Sequence, residues 1–120
     1  MDLQTLVFTV PGTLAASHTF TVKMPRPATV LNVSASNSSA NAGKVQFGTS
    51  ADANGFLTDQ DVGVSGTPAE YDLNDFDGAL LSNPGHEYPR LADGDIFSIT
   101  ITDHASHMAN VSVVMTLADG

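Results

Sequence analysis

The chain has 120 residues, no cysteine and a formal net charge of −9 at pH 7, from thirteen acidic and four basic residues. This length supports one domain with its own hydrophobic core, and the lack of cysteine excludes disulfides, thiol catalysis and cysteine-ligated metal sites. The charge argues against a nucleic acid or an anionic membrane as partner, because phosphate groups are bound by clustered Lys and Arg side chains.

The N-terminal segment, residues 1–14, has an acidic residue at position 2, no basic region and no apolar run longer than three residues. It predicts neither a signal peptide nor a membrane span, so we expect synthesis in a cytoplasm and no secretion by a signal of its own. The first six residues are apolar enough to lie on a partner. We expect residues 1–6 to form an N-terminal arm in which Leu3 and Leu6 contact that partner.

Alternation of apolar residues with Ser, Thr and other polar residues recurs along most of the chain and is typical of half-buried β-strands. It predicts six strands, at residues 3–10, 18–24, 29–36, 44–47, 95–102 and 110–117. The residues expected to face inward are Leu6, Phe8 and Val10; Phe20, Val22 and Met24; Leu31, Val33 and Ala35; Phe97, Ile99 and Ile101; and Val111, Val113, Met115 and Leu117.

Gly and Pro residues separate these strands, and no window of ten or more residues repeats with helical spacing. The pattern predicts an all-β fold, a single-domain antiparallel β-sandwich over residues 1–120, of jelly-roll or Ig-like kind. Residues 103–109 are expected to join the last two strands in a terminal β-hairpin. One or two further strands are expected within 62–92, and at most one helical turn, around Asn74–Leu81.

Two segments lack strand periodicity. Residues 36–43 are small and polar, which predicts a surface loop. The region 50–90 carries eight acidic residues and little periodic structure. A long connection in a compact domain is usually functional or an interaction surface, so we interpret 50–90 as an acidic surface.

The stretch SADANGFLTDQDVGVSG, residues 50–66, holds oxygen ligands of the kind that calcium binds. An EF-hand loop starting at Asp52 requires an oxygen ligand at its fifth position, Gly at its sixth and Glu at its twelfth. The chain has Phe56, Leu57 and Gly63 there, so the template fails and we predict solvated loop acids with no metal or cofactor. The weaker alternative is an irregular calcium site formed by Asp52, Asn54, Asp59 and Asp61.

No catalytic constellation is found in the sequence. Ser65 in GVSGT is one residue out of register with the nucleophile motif G-x-S-x-G, and no helical pattern follows it, so a turn residue is predicted. His104 and His107 could offer two imidazoles to zinc beside Asp103, but zinc needs further ligands in a fixed geometry. We interpret both histidines as exposed turn residues, and we expect no enzymatic activity.

The charges are segregated along the sequence. Residues 1–50 carry a net charge of +2, residues 51–90 a net charge of −7 and residues 91–120 a net charge of −4. A surface with both signs suits contacts between subunits or a partner of complementary charge. The alternative interpretation is that net negative charge only keeps an abundant β-protein soluble.

Three short motifs follow one another along the chain: a strand ending in K-x-P at residues 23–25, the turn FGTSAD at residues 47–52, and LADGD at residues 91–95 before the last two strands. In the kind of these motifs and in their order, the chain resembles small β-sandwich proteins encoded beside the capsid genes of tailed bacteriophages, over about residues 15–118. Those are head decoration (cement) proteins or other virion structural proteins. The motifs include no catalytic residue and assign no individual binding residue.

The resemblance implies a non-enzymatic structural protein of the virion that binds the major capsid protein at the capsid surface, as a homo-oligomer, a trimer. We expect the positive N-terminal half, with Lys23 and Arg26, to face the shell or the next subunit. The alternatives are a tail or baseplate component and a calcium-assisted carbohydrate-binding module. Sugars stack on exposed aromatic faces, and the lack of Trp, with only Tyr71 and Tyr88, weakens the last alternative.

Overall fold

The computed structural model describes residues 3–119, and this part of the chain is built from β-strands. Within it there is no helix that is long and apolar enough to cross a membrane. The strands follow the alternation of the sequence, because successive side chains of a strand point to opposite faces. They are β1 (Leu3–Thr13), β2 (His18–Lys23), β3 (Ala28–Ser36), β4 (Lys44–Thr49), β5 (Asp52–Asp61), β6 (Ala69–Tyr71), β7 (Arg90–Leu91), β8 (Ile96–Thr102) and β9 (Ala109–Asp119).

The strands form two antiparallel sheets. One sheet has the order β1-β9-β3-β6, with β7 also paired to β3, and the other has the order β2-β8-β4-β5. The chain changes sheet at most connections and stays in the same sheet only between β4 and β5 and between β6 and β7. The expected antiparallel β-sandwich is confirmed.

The core lies between the two sheets, where the inward faces of the strands meet. The inward residues expected for the last two long strands are all buried. Phe47 of β4 is fully buried, with its ring centroid 5.8 Å from that of Phe97 in an edge-to-face arrangement and 5.2 Å from that of Phe56. These three rings form the aromatic centre of the core.

Strand β3 departs from the expected pattern at Leu31. Its pairing with β9 shifts register between Val30 and Asn32, so Leu31 is an extra residue in a β-bulge. Val30 is therefore fully buried together with Val33, whereas Leu31 is only half-buried. The prediction that Leu31 faces the core is wrong, because one extra residue exchanges the two faces of a strand.

The expected terminal β-hairpin is also wrong. β8 pairs with β2 and β4, whereas β9 pairs with β1 and β3, so residues 103–108 cross from one sheet to the other. Met108 is fully buried at this crossing, and its carbonyl accepts a hydrogen bond from the Leu14 N–H at 2.9 Å. Alternation shows which face of a strand is buried but not which strand lies beside it, and a crossing buries the same residues as a hairpin.

The region 50–90 contains more regular structure than expected, since β5 covers its first part and β6 and β7 follow. Residues 74–81 form turns and no helix. Phe76 and Leu81 in this segment are buried and cover the core beside β5. Much of the region expected to be an acidic surface is therefore also a wall of the sandwich.

The loop at residues 36–43 is not purely a surface loop, because Asn37 is buried. Its side-chain Nδ2 donates to the Gly63 carbonyl at 3.0 Å and to the Asn41 carbonyl at 3.2 Å. Its Oδ1 accepts from the Ser39 N–H at 2.8 Å. A buried amide that meets its partners in this way stabilises one loop conformation.

The N-terminal arm expected over residues 1–6 is part of a sheet from Leu3 onward. Leu3 pairs with Ala118, and Leu6 pairs with Met115, in the antiparallel ladder of β1 and β9. Residues 1 and 2 of the expected arm lie outside the described residues. Leu3 and Leu6 thus belong to a sheet edge and not to a free arm.

Candidate interaction surfaces

Most of the acidic stretch at residues 50–66 is an edge strand and not a loop, since β5 covers its residues 52–61. β5 pairs with β4 from Lys44↔Asp61 to Thr49↔Asp52, with two irregularities in register between these ends. Residues 55–57 in its middle are buried, and the segment that contains Phe76 and Leu81 lies against them, since the Leu80 N–H donates to the Gly55 carbonyl at 2.8 Å. The sequence pattern missed this strand because the bulges interrupt the alternation of period two.

The four candidate calcium ligands lie toward the two ends of β5. Asp52 and Asp61 pair with residues that are five positions apart on β4, which corresponds to about 17 Å at the rise of a β-strand. Asp52 accepts from the Asn54 N–H at 3.4 Å, and Asp61 forms an exposed ion pair with Lys44. Within residues 3–119, no three His, Cys, Asp or Glu side chains converge as a metal site. The four oxygens therefore cannot share one ion in this conformation.

Ser65 is a turn residue, as the sequence predicts. The Thr67 N–H donates to the Val64 carbonyl at 2.9 Å, and Gly66 between them has a φ of 78°. A positive φ at this position of a turn is typical of glycine. Ser65 is exposed on the turn.

Asp103 organises the crossing between β8 and β9. Its Oδ1 accepts from the His104 N–H at 2.9 Å and from the Met108 N–H at 2.8 Å. Its Oδ2 lies 2.7 Å from the His107 Nδ1, which donates to it. Burial by itself raises the pKa of the Asp103 carboxyl, but these hydrogen bonds and the charge of His107 hold the pKa below its ordinary value.

The two candidate zinc histidines are turn residues of this crossing. The His107 N–H donates to the His104 carbonyl at 2.8 Å, and His107 has a φ of 66°. The His104 Nδ1 accepts from the Ser106 N–H at 2.9 Å. The Nδ1 atoms of both imidazoles are thus used within the turn, which gives the cluster a structural role.

Two of the four basic residues lie beside acidic side chains. Lys44 forms an ion pair with Asp61, and Arg26 lies 3.4 Å from Asp119. Among the ion pairs of residues 3–119, none includes Lys23 or Arg90. The segregation of charge along the sequence is thus partly cancelled in space, because the sheets bring acidic residues of the second half beside basic residues of the first.

The sandwich has one side where its core is incompletely covered, between the edge strands β1 and β2. We call this the β1–β2 side. The rings of Phe8 and Phe20 meet there with centroids 5.3 Å apart. Five inward side chains on these strands are only partly buried: Leu6, Phe8, Val10, Phe20 and Val22. On the outer face of β1, Leu3 and Val7 are 63% and 58% exposed.

A groove of about 860 Å³ opens at another place, beside the starts of β5 and β8. Leu80, Tyr88 and Ile96 expose apolar surface in it, and Tyr88 is 38% exposed. Charged and polar side chains complete its lining, namely His86, Glu87, Arg90 and Asp95. This combination of an exposed aromatic ring with convergent polar groups is typical of ligand sites.

Tyr71 has a different environment from Tyr88. Its hydroxyl donates to the Asp61 carbonyl, and burial, together with the charges of Asp61 and Asp75, raises the pKa of the phenol. Tyr88 is therefore the tyrosine that can offer its face to a ligand.

Sequence reasoning placed Leu3 and Leu6 on a partner surface, but it missed the partly buried aromatic side chains of the β1–β2 side and the whole of the groove. Phe8 and Phe20 were expected in the core because they alternate correctly, and alternation is the same for a central strand and an edge strand. The lack of charge from residue 3 to residue 13 is the one signal that could have marked β1 as an unusual edge. Nothing local predicts the groove, because its lining residues come from separate segments spread between Thr29 and Ile96.

Comparison with known proteins gives a likeness of fold. No family model and no curated protein matches the chain. A solved chain from the capsid asymmetric unit of cyanophage Pam1 is similar, with a TM-score of 0.59 and 18% sequence identity. The match covers 99% of this chain and 84% of that chain, so the likeness extends over the whole sandwich.

Proposed function

We propose that this chain is a non-enzymatic structural protein of a phage virion, which adds to the capsid surface as a decoration or cement protein. The observation that carries the proposal is the fold match over 99% of the chain to a component of a phage capsid. That component has about 140 residues, because 99% of these 120 residues match 84% of it. The likeness is therefore to a similarly small chain.

The strand order supports the proposal. The orders β1-β9-β3-β6 and β2-β8-β4-β5 interleave strands from both halves of the chain, as the paired Greek keys of a jelly roll do. An Ig-like sandwich distributes its strands differently. Jelly rolls occur in viral capsid and lectin domains, so the topology suits a virion protein and favours the first of the two sandwich types.

The proposed partners are the major capsid protein and further copies of this chain, in a trimer. A cement protein contacts many equivalent positions of a symmetric shell, so that modest contacts act together. We place Lys23 and Arg26 toward the shell. Lys23 is exposed at the end of β2, and Arg26 is exposed in the connection that follows, next to Asp119. An acidic patch on the shell would suit both.

Charge reversal tests this orientation. We expect Lys23→Glu combined with Arg26→Glu to weaken binding to capsids by roughly tenfold, since two rim contacts change from attraction to repulsion. The measurement is co-sedimentation of the purified variant with capsids that lack the protein. Lys44→Glu is the control, because Lys44 is another exposed cation, which lies at the opposite end of β8 from Lys23, and its reversal should leave occupancy unchanged. Unchanged occupancy of the double variant would overturn the orientation.

The groove favours a second candidate function, carbohydrate binding. An exposed tyrosine face can stack on a sugar ring, while Glu87, Arg90 and Asp95 offer acceptors and donors to its hydroxyls. The separation of the four acidic candidates on β5 favours a calcium-independent site over the calcium-assisted one.

A glycan array with the purified protein tests this candidate. If it is correct, Tyr88→Ala should lower the affinity for a bound glycan about tenfold, or ~1.4 kcal/mol, because the stacking surface is lost. Tyr71→Phe, which changes a tyrosine outside the groove, should not. Binding to no glycan would contradict the candidate, and a loss of binding after calcium chelation would contradict its calcium independence.

A further inference from the structure

The hydrophobic core is closed on one side and open on the other. Beside β5 and β6, the chain covers the core with buried residues of the segment that follows β5, such as Val62, Phe76 and Leu81. No comparable segment within residues 3–119 covers the β1–β2 side. Of the six inward hydrophobic residues that remain partly buried, five lie on β1 and β2. The sandwich therefore exposes apolar core surface at one defined place.

The exposed apolar surface coincides with two sheet edges. β1 and β2 are each terminal in their sheets, so one edge of each strand presents N–H and C=O groups without a neighbouring strand of the described chain. β1 is eleven residues long. Natural edge strands are usually protected by charged residues, proline or shortness. In β1 the first such residue is Pro11, so the edge from Leu3 to Val10 is unprotected.

The charge of this side indicates its occupant. β1 has no charged residue, and the only Lys, Arg, Asp or Glu in β2 is Lys23. The thirteen acidic residues of the chain all lie outside these two strands. Two copies that meet through the β1–β2 side thus avoid the repulsion between acidic surfaces that a net charge of −9 causes elsewhere.

We propose that the β1–β2 side is the self-association surface of this protein, buried against the same side of further copies. Rotational symmetry brings like residues together around an axis, so an apolar strip without acidic residues is compatible with itself. The partly exposed rings of Phe8 and Phe20 would form the centre of the contact, as aromatic anchors do in protein interfaces. The free edge of β1 would add main-chain hydrogen bonds to the neighbouring copy.

This inference deepens the proposed function and rests on its homo-oligomer, for which it names the contact surface, and it can be tested in solution without a shell. The mass of the purified full chain, measured by light scattering at tens of micromolar, tests it. We expect a closed oligomer in the wild type and a monomer in the double variant Leu3→Lys, Val7→Lys. Both side chains are more than half exposed, so their replacement spares the core, and it places like charges opposite one another at the contact.

Leu80→Lys is the matched control, since it makes the same change at another exposed leucine, outside the β1–β2 side. It should leave the mass unchanged, and circular dichroism should show all variants folded. A second readout is hydrogen exchange of the β1 amides, which should be slower in the wild type than in the double variant. A wild-type monomer, or an oligomer that survives both lysines, overturns the proposal. A wild-type monomer that still binds capsids would overturn the self-association surface and the trimer, while leaving the proposed binding to the capsid intact.

Discussion

Replacing Phe47 by alanine is expected to lower the free energy of unfolding by roughly 3–5 kcal/mol, which is the usual cost of removing a buried phenyl ring. Phe47 is fully buried on β4, which pairs on both sides, opposite Ile99 of β8 and Leu57 of β5. Its ring also contacts the rings of Phe56 and Phe97. The neighbours belong to a paired sheet, so they cannot collapse into the cavity.

Urea denaturation followed by circular dichroism measures this effect, with Phe20→Ala as control. Phe20 is the same residue type at the β1–β2 side, where it is only partly buried. At a concentration where the chain is monomeric, its truncation should cost clearly less than that of Phe47. Equal losses for the two variants would contradict the uneven covering of the core.

The second large effect is expected at Asp103. Asp103→Ala should lower the free energy of unfolding by about 2–4 kcal/mol, because hydrogen bonds to a charged acceptor are among the stronger ones and the partly buried N–H groups of His104 and Met108 would lose their acceptor. The side chain is only 10% exposed, and it binds two backbone N–H groups and the His107 ring. Asp93→Ala removes an exposed carboxylate from another turn and should change stability little.

The loss at Asp103 should also depend on pH. A carboxyl whose pKa is lowered in the folded state contributes stability that is present above its unfolded pKa and is lost as the pH falls through the folded pKa. The pKa of Asp103 is lowered. The free energies of wild type and Asp103→Asn should therefore differ near neutral pH and converge below about pH 4. If the difference in free energy of unfolding between the two proteins stayed constant down to acid unfolding, the charged form of Asp103 would not be the source of the stabilisation.

Several features of the fold were predictable from local pattern. The faces of β8 and β9 follow from strict alternation, since Phe97, Ile99, Met115 and their neighbours are buried as expected. The turn at Ser65 follows from its flanking glycines. The predictions for the strand faces succeed because the two faces of a strand differ in burial, so that apolar side chains recur at every second residue.

Other features depend on which segments meet. A regular strand at Leu31, a loop in place of β5 and a hairpin after β8 would have had the same composition and alternation. The sequence pattern therefore does not distinguish them from the bulge, the irregular strand and the crossing that the structure has. The ion pairs Lys44–Asp61 and Arg26–Asp119 likewise join residues from segments of opposite charge. None of these contacts has a signature within a short window.

The sequence by itself thus determined that the chain is an all-β sandwich, which face of most strands is buried, and that cysteine chemistry and a regular calcium loop are absent. The tertiary structure alone decided the order of the strands, the open β1–β2 side, the groove around Tyr88 and the structural role of Asp103. The physical reason is that the tendency to be buried is set by each side chain, whereas main-chain pairing uses N–H and C=O groups that every segment carries. Which strand becomes an unprotected edge is therefore settled by long-range pairing.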